Sequence, residues 1–303
     1  MTRYGFVGLG NLGRHLAAGL VRAGFPLTVY DARPQAADGL GATWASSPRA
    51  VAEQSDAVFT CLPSPPIVGA VVAGEDGILA GLRRGGTWID SSTNDVHELQ
   101  RLAALAAERG IDVLAAPVTG GVHLAATGEI TVIVGGDADV AAAHASAFAA
   151  IGGKVFHVGP LGSASTIKVI TNLLAFVHLV AAGEALMLAG QAGLDLAQAF
   201  EVIRASSGTS FVHETESQVI LNGSYDIGFT LDLACKDLGL ALELGREHGV
   251  PLVLGDAVAE QFALARERYG GSAWSPMVVK LLEDAVGADL RAPGFPAQLV
   301  SDT

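Results

Sequence analysis

Residues 5 to 13 read GFVGLGNLG, and within them Gly8, Gly10 and Gly13 form the spacing G-x-G-x-x-G. Each glycine has a task if a dinucleotide binds. The first permits a tight turn, the second lets backbone approach a pyrophosphate, and the third lets a helix pack closely on a strand. Leu9, Asn11 and Leu12 fill the positions between them, where the N–H groups of a helix start would face the phosphates. With 38 glycines in the chain this spacing is weak by itself. It gains weight from Asp31, which closes the next β-rich run about 20 residues on, where a carboxylate meets the ribose hydroxyls. A carboxylate there accepts from the 2′-hydroxyl and repels a 2′-phosphate, which favours NAD over NADP. Arg33, two residues further, is the group that would favour the phosphate instead.

Two other patterns allow chemistry without requiring it. Lys168 and Asn172 are four apart, so on a helix they share one face. From the residues alone the plain reading is that the lysine stem packs while its ammonium reaches water. Thr119, Gly120 and Gly121 place a hydroxyl before two glycines, a pattern that fits either a backbone nest for an anion or an ordinary turn.

These residues need elements to hold them. Short β-rich runs at 4–8, 27–31, 57–62, 87–90, 113–116, 130–134 and 155–158 alternate with helical patterns such as 11–23, which predicts a mostly parallel sheet covered on both faces. From 164 to 192 there is no proline, and the spacing predicts one long helix of about 40 Å. Beyond it, helical patterns separated by glycine and proline run to about residue 290, with no convincing strand. The expected division is a nucleotide-binding domain over 1–161, an all-α domain for substrate and oligomerisation over 162–295, and a tail over 296–303.

Composition removes several classes of function. The chain has 303 residues, 18 Lys plus Arg against 31 Asp plus Glu, and a net charge of −13, and its longest basic run is Arg83-Arg84, which argues against a nucleic-acid partner. The apolar stretch 169–192 is interrupted by Thr171, Asn172, His178, Glu184 and Gln191, so no membrane span is expected. No secretory leader is read at Met1–Tyr4 and the two cysteines, Cys61 and Cys235, have no CxxC spacing, so a cytoplasmic protein is expected. HETES at 213–217 lacks the second histidine of HExxH, no other histidine pairing has metal spacing, and no bound metal is expected. There is no G-x-S-x-G elbow and no Walker A lysine.

The ordered string GFVGLGNLG, CLPSPPIV, IDSST, AAPVTGGVHLAATGEITVIVGG, GSASTIKVITNLL and KDLGLAL resembles the β-hydroxyacid dehydrogenase family, from Tyr4 to about Ala292. The resemblance implies a Rossmann-like doubly wound N-terminal sheet followed by an all-α C-terminal domain entered through one long helix. It implies a cofactor, NAD by preference or NADP, held by Gly8 to Gly13, Asp31, Leu62, Pro63, Thr93 and, from the second domain, Lys236. It makes Lys168 the general acid in carbonyl reduction and the base in alcohol oxidation, with Asn172 orienting it. As a base near pH 8, a lysine of ordinary pKa near 10.4 would need a depression of roughly two units. Thr119, Gly120 and Gly121 would hold the acidic group of a small anionic substrate, a β-hydroxy acid or its semialdehyde with a carboxylate or sulfonate. Ala116, Thr119 and Thr171 depart from the usual aspartate, serine and asparagine. An apolar second domain built on one long helix predicts a homodimer or homotetramer.

Two other functions share this architecture. Imine reductases do, but generally lack the lysine that stands here as Lys168. A non-catalytic dinucleotide-binding scaffold would bind the cofactor without turning it over.

Overall fold

In a computed structural model of the chain, residues 1–299 are described. The expected tail is therefore described only as far as 299, and its remainder lies outside the described residues. The chain forms two compact units, Met1–Lys168 and the residues from Val169 onward.

In the first unit, β1 (Tyr4–Val7), β2 (Leu27–Tyr30), β3 (Thr43–Trp44), β4 (Ala57–Thr60), β5 (Thr87–Asp90) and β6 (Asp112–Ala115) form a parallel sheet. Its order, β3-β2-β1-β4-β5-β6, places a crossover at the C-terminal end of β1, the position where open α/β sheets bind ligands. Residues one apart point to opposite faces. Phe6, Phe59 and Ile89 pack on the helix Gly13–Arg22 through Leu16 and Leu20, while Val7, Val58 and Trp88 pack beneath Leu99 and Leu102 of the helix Val96–Glu108. Burial on both sides explains why β1, β4 and β5 read as near-continuous apolar runs.

The remaining strands differ from the sequence expectation. β7 (Val118–Thr119), β8 (Thr131–Val134) and β9 (Lys154–His157) form a separate three-stranded sheet, antiparallel between β7 and β8 and parallel between β8 and β9. The runs at 130–134 and 155–158 are thus strands, but not of the large sheet.

The long helix runs from Ser163 to Gln191, about 43 Å. Among the described residues it is the one helix long and apolar enough to cross a membrane by length and composition, and 28% of its most apolar window is buried. The second unit contains the helices Leu196–Arg204, Phe211–Asn222, Leu231–Glu247, Val253–Tyr269 and Lys280–Val286. Phe176 and Phe262 meet edge to face at 5.1 Å within its core.

One buried group ties stability to pH. His144 lies between the hydroxyls of Tyr4 and Thr87, each 3.0 Å from a ring nitrogen. A neutral imidazole, with one donor and one acceptor, satisfies both. Burial lowers its pKa below the ordinary 6.5, so as pH falls through about 6.5 the unfolded chain takes up a proton that the folded one resists. This contribution to stability is present above that pH and is lost below it. Melting curves between pH 7.5 and 5 should show the midpoint falling, and falling less in His144→Gln; parallel curves would assign the acid sensitivity to other groups.

Candidate active site

The glycine loop has the geometry a pyrophosphate requires. Gly8 has φ +99°, and a Cβ there would stand 2.3 Å from the Cys61 carbonyl oxygen. At Gly13 a Cβ would stand 2.0 Å from the Gly8 carbonyl oxygen, so the helix Gly13–Arg22 approaches β1 as only glycine allows. At Gly10 a Cβ would meet nothing within 4 Å. This open side, at the end of a strand and the start of a helix, is the cradle that the phosphates would fill.

Asp31 follows β2 and closes onto this loop. Its Oδ2 accepts from Leu9 N at 2.7 Å and its Oδ1 from Arg33 N at 2.8 Å. The Arg33 side chain is 72% exposed, its guanidinium 3.7 Å from a carboxylate that is 12% exposed. Negative charge is therefore fixed by backbone donors where the ribose would lie, and the compensating cation extends into solvent.

Leu62, Pro63 and Thr93 come from the next two loops. After β4, Leu62 N donates to Ser92 Oγ at 2.9 Å, so the turn bearing Leu62 and Pro63 is tied to the turn bearing Thr93. The tie leads to Asp90, a fully buried carboxyl that sequence reasoning did not single out. Its one signal was an acidic residue closing an apolar strand, inside the IDSST string.

The Thr119–Gly121 segment and the helix that bears Lys168 are anchored to the same strand end. Beyond β6 the chain passes Ala116 and Pro117 to Thr119. Gly120 and Gly121 both take positive φ, at +126° and +90°, before the short helix Val122–Thr127. Ala115 exchanges two backbone hydrogen bonds with Gly135, at 2.9 and 2.8 Å. Gly135 in turn lies so close to Ala164 that a Cβ would be 3.0 Å from it. This contact seats the first turn of the helix Ser163–Gln191 and puts Ala164, Ser165 and Lys168 on its buried face. Lys168 is 8% exposed, so its stem is packed within the protein. His123 is half-buried in the Val122–Thr127 helix with its ring against Gly121, and burial lowers its pKa.

In the second unit Asn172 and Lys236 converge on Asp237. Asn172 Nδ2 donates to Asp237 Oδ2 at 2.6 Å, and Lys236 Nζ lies 2.8 Å from Asp237 Oδ1. Among the described residues Oδ1 accepts no hydrogen bond, and Lys236 meets it as an ion pair. Asp237 is 1% exposed and Lys236 20%, so this pair is covered rather than solvated. Adjacent residues on a helix surface look alike in sequence whether or not another helix covers them.

Residues 3–159 match the family model described as the NAD binding domain of 6-phosphogluconate dehydrogenase. Residues 162–282 match the one described as NAD-binding of NADP-dependent 3-hydroxyisobutyrate dehydrogenase. The chain is 34% identical over 292 residues to the 2-(hydroxymethyl)glutarate dehydrogenase of Eubacterium barkeri, covering 95% of this chain and 97% of that protein. It is 35% identical over 270 residues to the mitochondrial 3-hydroxyisobutyrate dehydrogenase of Rattus norvegicus, covering 86% and 80%. A solved structure of the Mycobacterium tuberculosis 3-hydroxyisobutyrate dehydrogenase with L-serine superposes with a TM-score of 0.82 at 31% identity, covering 93% of this chain and 99% of that one. These relatives are hydroxyacid dehydrogenases, and the chain carries NAD(P)-binding domains.

Proposed function

The chain belongs to the β-hydroxyacid dehydrogenase family, and on that footing we propose that it transfers a hydride between NAD and a small β-hydroxy acid or its semialdehyde. The observation that carries this reading is the burial of Lys168 on a helix seated, through Gly135, against the strand that leads into Thr119–Gly121. A lysine with a buried stem, on a helix tied to the strand that leads into a two-glycine turn, is equipped for proton transfer to an oxygen.

The nicotinamide, when bound, supplies or accepts the hydride at the carbonyl carbon. Lys168 Nζ gives its proton to the developing alkoxide in reduction and takes the hydroxyl proton in oxidation. While charged, it also stabilises the negative oxygen. Asn172 Nδ2 donates to Asp237, which orients the amide, and its carbonyl oxygen is turned to meet the lysine or the substrate hydroxyl. The Thr119 hydroxyl and the N–H groups of Gly120 and Gly121 hold the substrate's acidic group, a local attraction needed on a protein whose net charge is −13. The reading is tested by following absorbance at 340 nm with a panel of β-hydroxy acids, semialdehydes and sulfonated analogues. Turnover identifies the acid; cofactor binding with silence across the panel would favour a scaffold.

NAD is the proposed partner of Asp31. Removing a carboxylate held this close to a 2′-phosphate should relieve several kcal/mol of repulsion at an intermediate dielectric, by an estimate of about 4 kcal/mol at 4 Å. In Asp31→Ser the ratio of NADPH to NADH dissociation constants should fall at least about tenfold. An unchanged ratio would transfer the discrimination to Arg33.

The long helix bears Ile167, Ile170 and Leu174 exposed at three- and four-residue spacing, and Leu188 exposed further along. We assign this apolar surface to a second copy of the chain, in a dimer or tetramer, rather than to lipid, because Lys168, Asn172 and Glu184 interrupt the helix.

A further inference from the structure

We propose that Asp90 is a positioning residue that holds the two loops on which the dinucleotide rests in one register. The inference stands on the dinucleotide reading above.

Asp90 closes β5 and is 1% exposed. Its Oδ1 accepts from Thr60 Oγ1 at 2.9 Å and from Ser92 N at 3.0 Å, and its Oδ2 accepts from Asn94 Nδ2 at 2.9 Å.

The directions of these bonds leave little choice. Thr60 Oγ1 accepts from Trp88 Nε1 at 3.0 Å, so its own proton points to Asp90. Ser92 donates its backbone N–H to Asp90, and its Oγ accepts from Leu62 N at 2.9 Å. Asn94 Oδ1 accepts from Asp95 N at 2.9 Å, which fixes its amide nitrogen toward Asp90. Every neighbour donates, and only a carboxylate accepts from them all. Full burial pushes its pKa up, and these donors oppose the push.

Two chains of bonds therefore start at this one carboxylate. One runs through Ser92 to the backbone of Leu62, at the turn after β4. The other fixes Ser92 and Asn94 on either side of Thr93, at the turn after β5. The Asp90 carbonyl oxygen also accepts from Ala116 N at 2.6 Å, which brings the start of the substrate segment to the same point. Asp90 touches none of the reacting groups; it acts through the loops that do.

The test is NADH binding by fluorescence, needing no substrate, beside the melting temperature of the unliganded protein. Ser92→Ala cuts the relay to Leu62 with a small change in volume, and should weaken NADH binding about tenfold while melting within a few degrees of wild type. Asp90→Asn turns an amide donor toward a donor and should weaken binding about tenfold to 100-fold. The exchanged pair Asp90→Asn with Asn94→Asp restores an acceptor opposite the new amide and should recover most of the affinity. Folded Ser92→Ala and Asp90→Asn proteins that bind NADH as wild type does would overturn the role, as would an exchanged pair with no recovery. Failure of the wild-type protein to bind NADH would instead overturn the dinucleotide reading.

Discussion

Lys168→Ala is expected to lower kcat by about 100-fold or more, the scale of a lost general acid, while the dissociation constant for NADH stays within a few-fold. The alanine also removes a buried stem, so Lys168→Met is the sharper variant: it keeps apolar volume and rotamer freedom but carries no proton. The two should be equally slow. Lys168→Arg separates the lysine's two tasks, because arginine keeps the charge yet does not release a proton in a protein. It should keep part of the electrostatic stabilisation of the alkoxide, whose proton then comes from water, and so be slowed equally in both directions but less than Lys168→Met. Normal turnover in Lys168→Met would remove the lysine from the chemistry.

The glycine loop gives the second large effect, as a contrast between two positions. At Gly13 a Cβ would press on the Gly8 carbonyl oxygen at 2.0 Å, and backbone on both sides cannot yield cheaply. Gly13→Ala should therefore destabilise the first unit, by about 1–3 kcal/mol for overpacking of this kind. At Gly10 nothing stands within 4 Å, so Gly10→Ala should melt as wild type does. It should nevertheless lose NADH affinity by about tenfold to 100-fold, since the same overpacking now arises only when a pyrophosphate enters. Calorimetry and a fluorescence titration separate the two outcomes. Unchanged affinity in Gly10→Ala would mean that the open side of the loop is not where phosphate lies.

Much of this was legible in the sequence because the signals were local. The apolar runs of β1, β4 and β5 followed from burial on two faces, the turn into the helix Gly13–Arg22 from three glycines, and the long helix from an unbroken stretch without proline. Sheet membership was less legible. Ile130–Val134 and Val155–Val158 announced extended structure, but a strand's own residues do not name its neighbour, and these joined Val118–Thr119 in a second sheet. Thr43–Trp44 is a two-residue, exposed edge strand with no pattern to read. In the candidate site, Lys168 and Asn172 were visible through the family string, whereas the depth of Lys168 was not, because it depends on Gly135 meeting Ala164 from a distant loop. Asp90 was hidden for the same reason, and the KDLGLAL string displayed Asp237 without the partners that meet it: an acidic residue becomes a hub only when donors from other elements close around it.

The central claim, hydride transfer to a small β-semialdehyde acid, is tested most directly by carrying a label from cofactor to product. The protein is incubated with NADH deuterated at the nicotinamide C4 and a mixture of carboxylated and sulfonated semialdehydes, and the hydroxy acids formed are read by mass spectrometry. Deuterium on the carbinol carbon of one product, lost in Lys168→Met, is the predicted result. Cofactor binding with no labelled hydroxy acid in any product would contradict it.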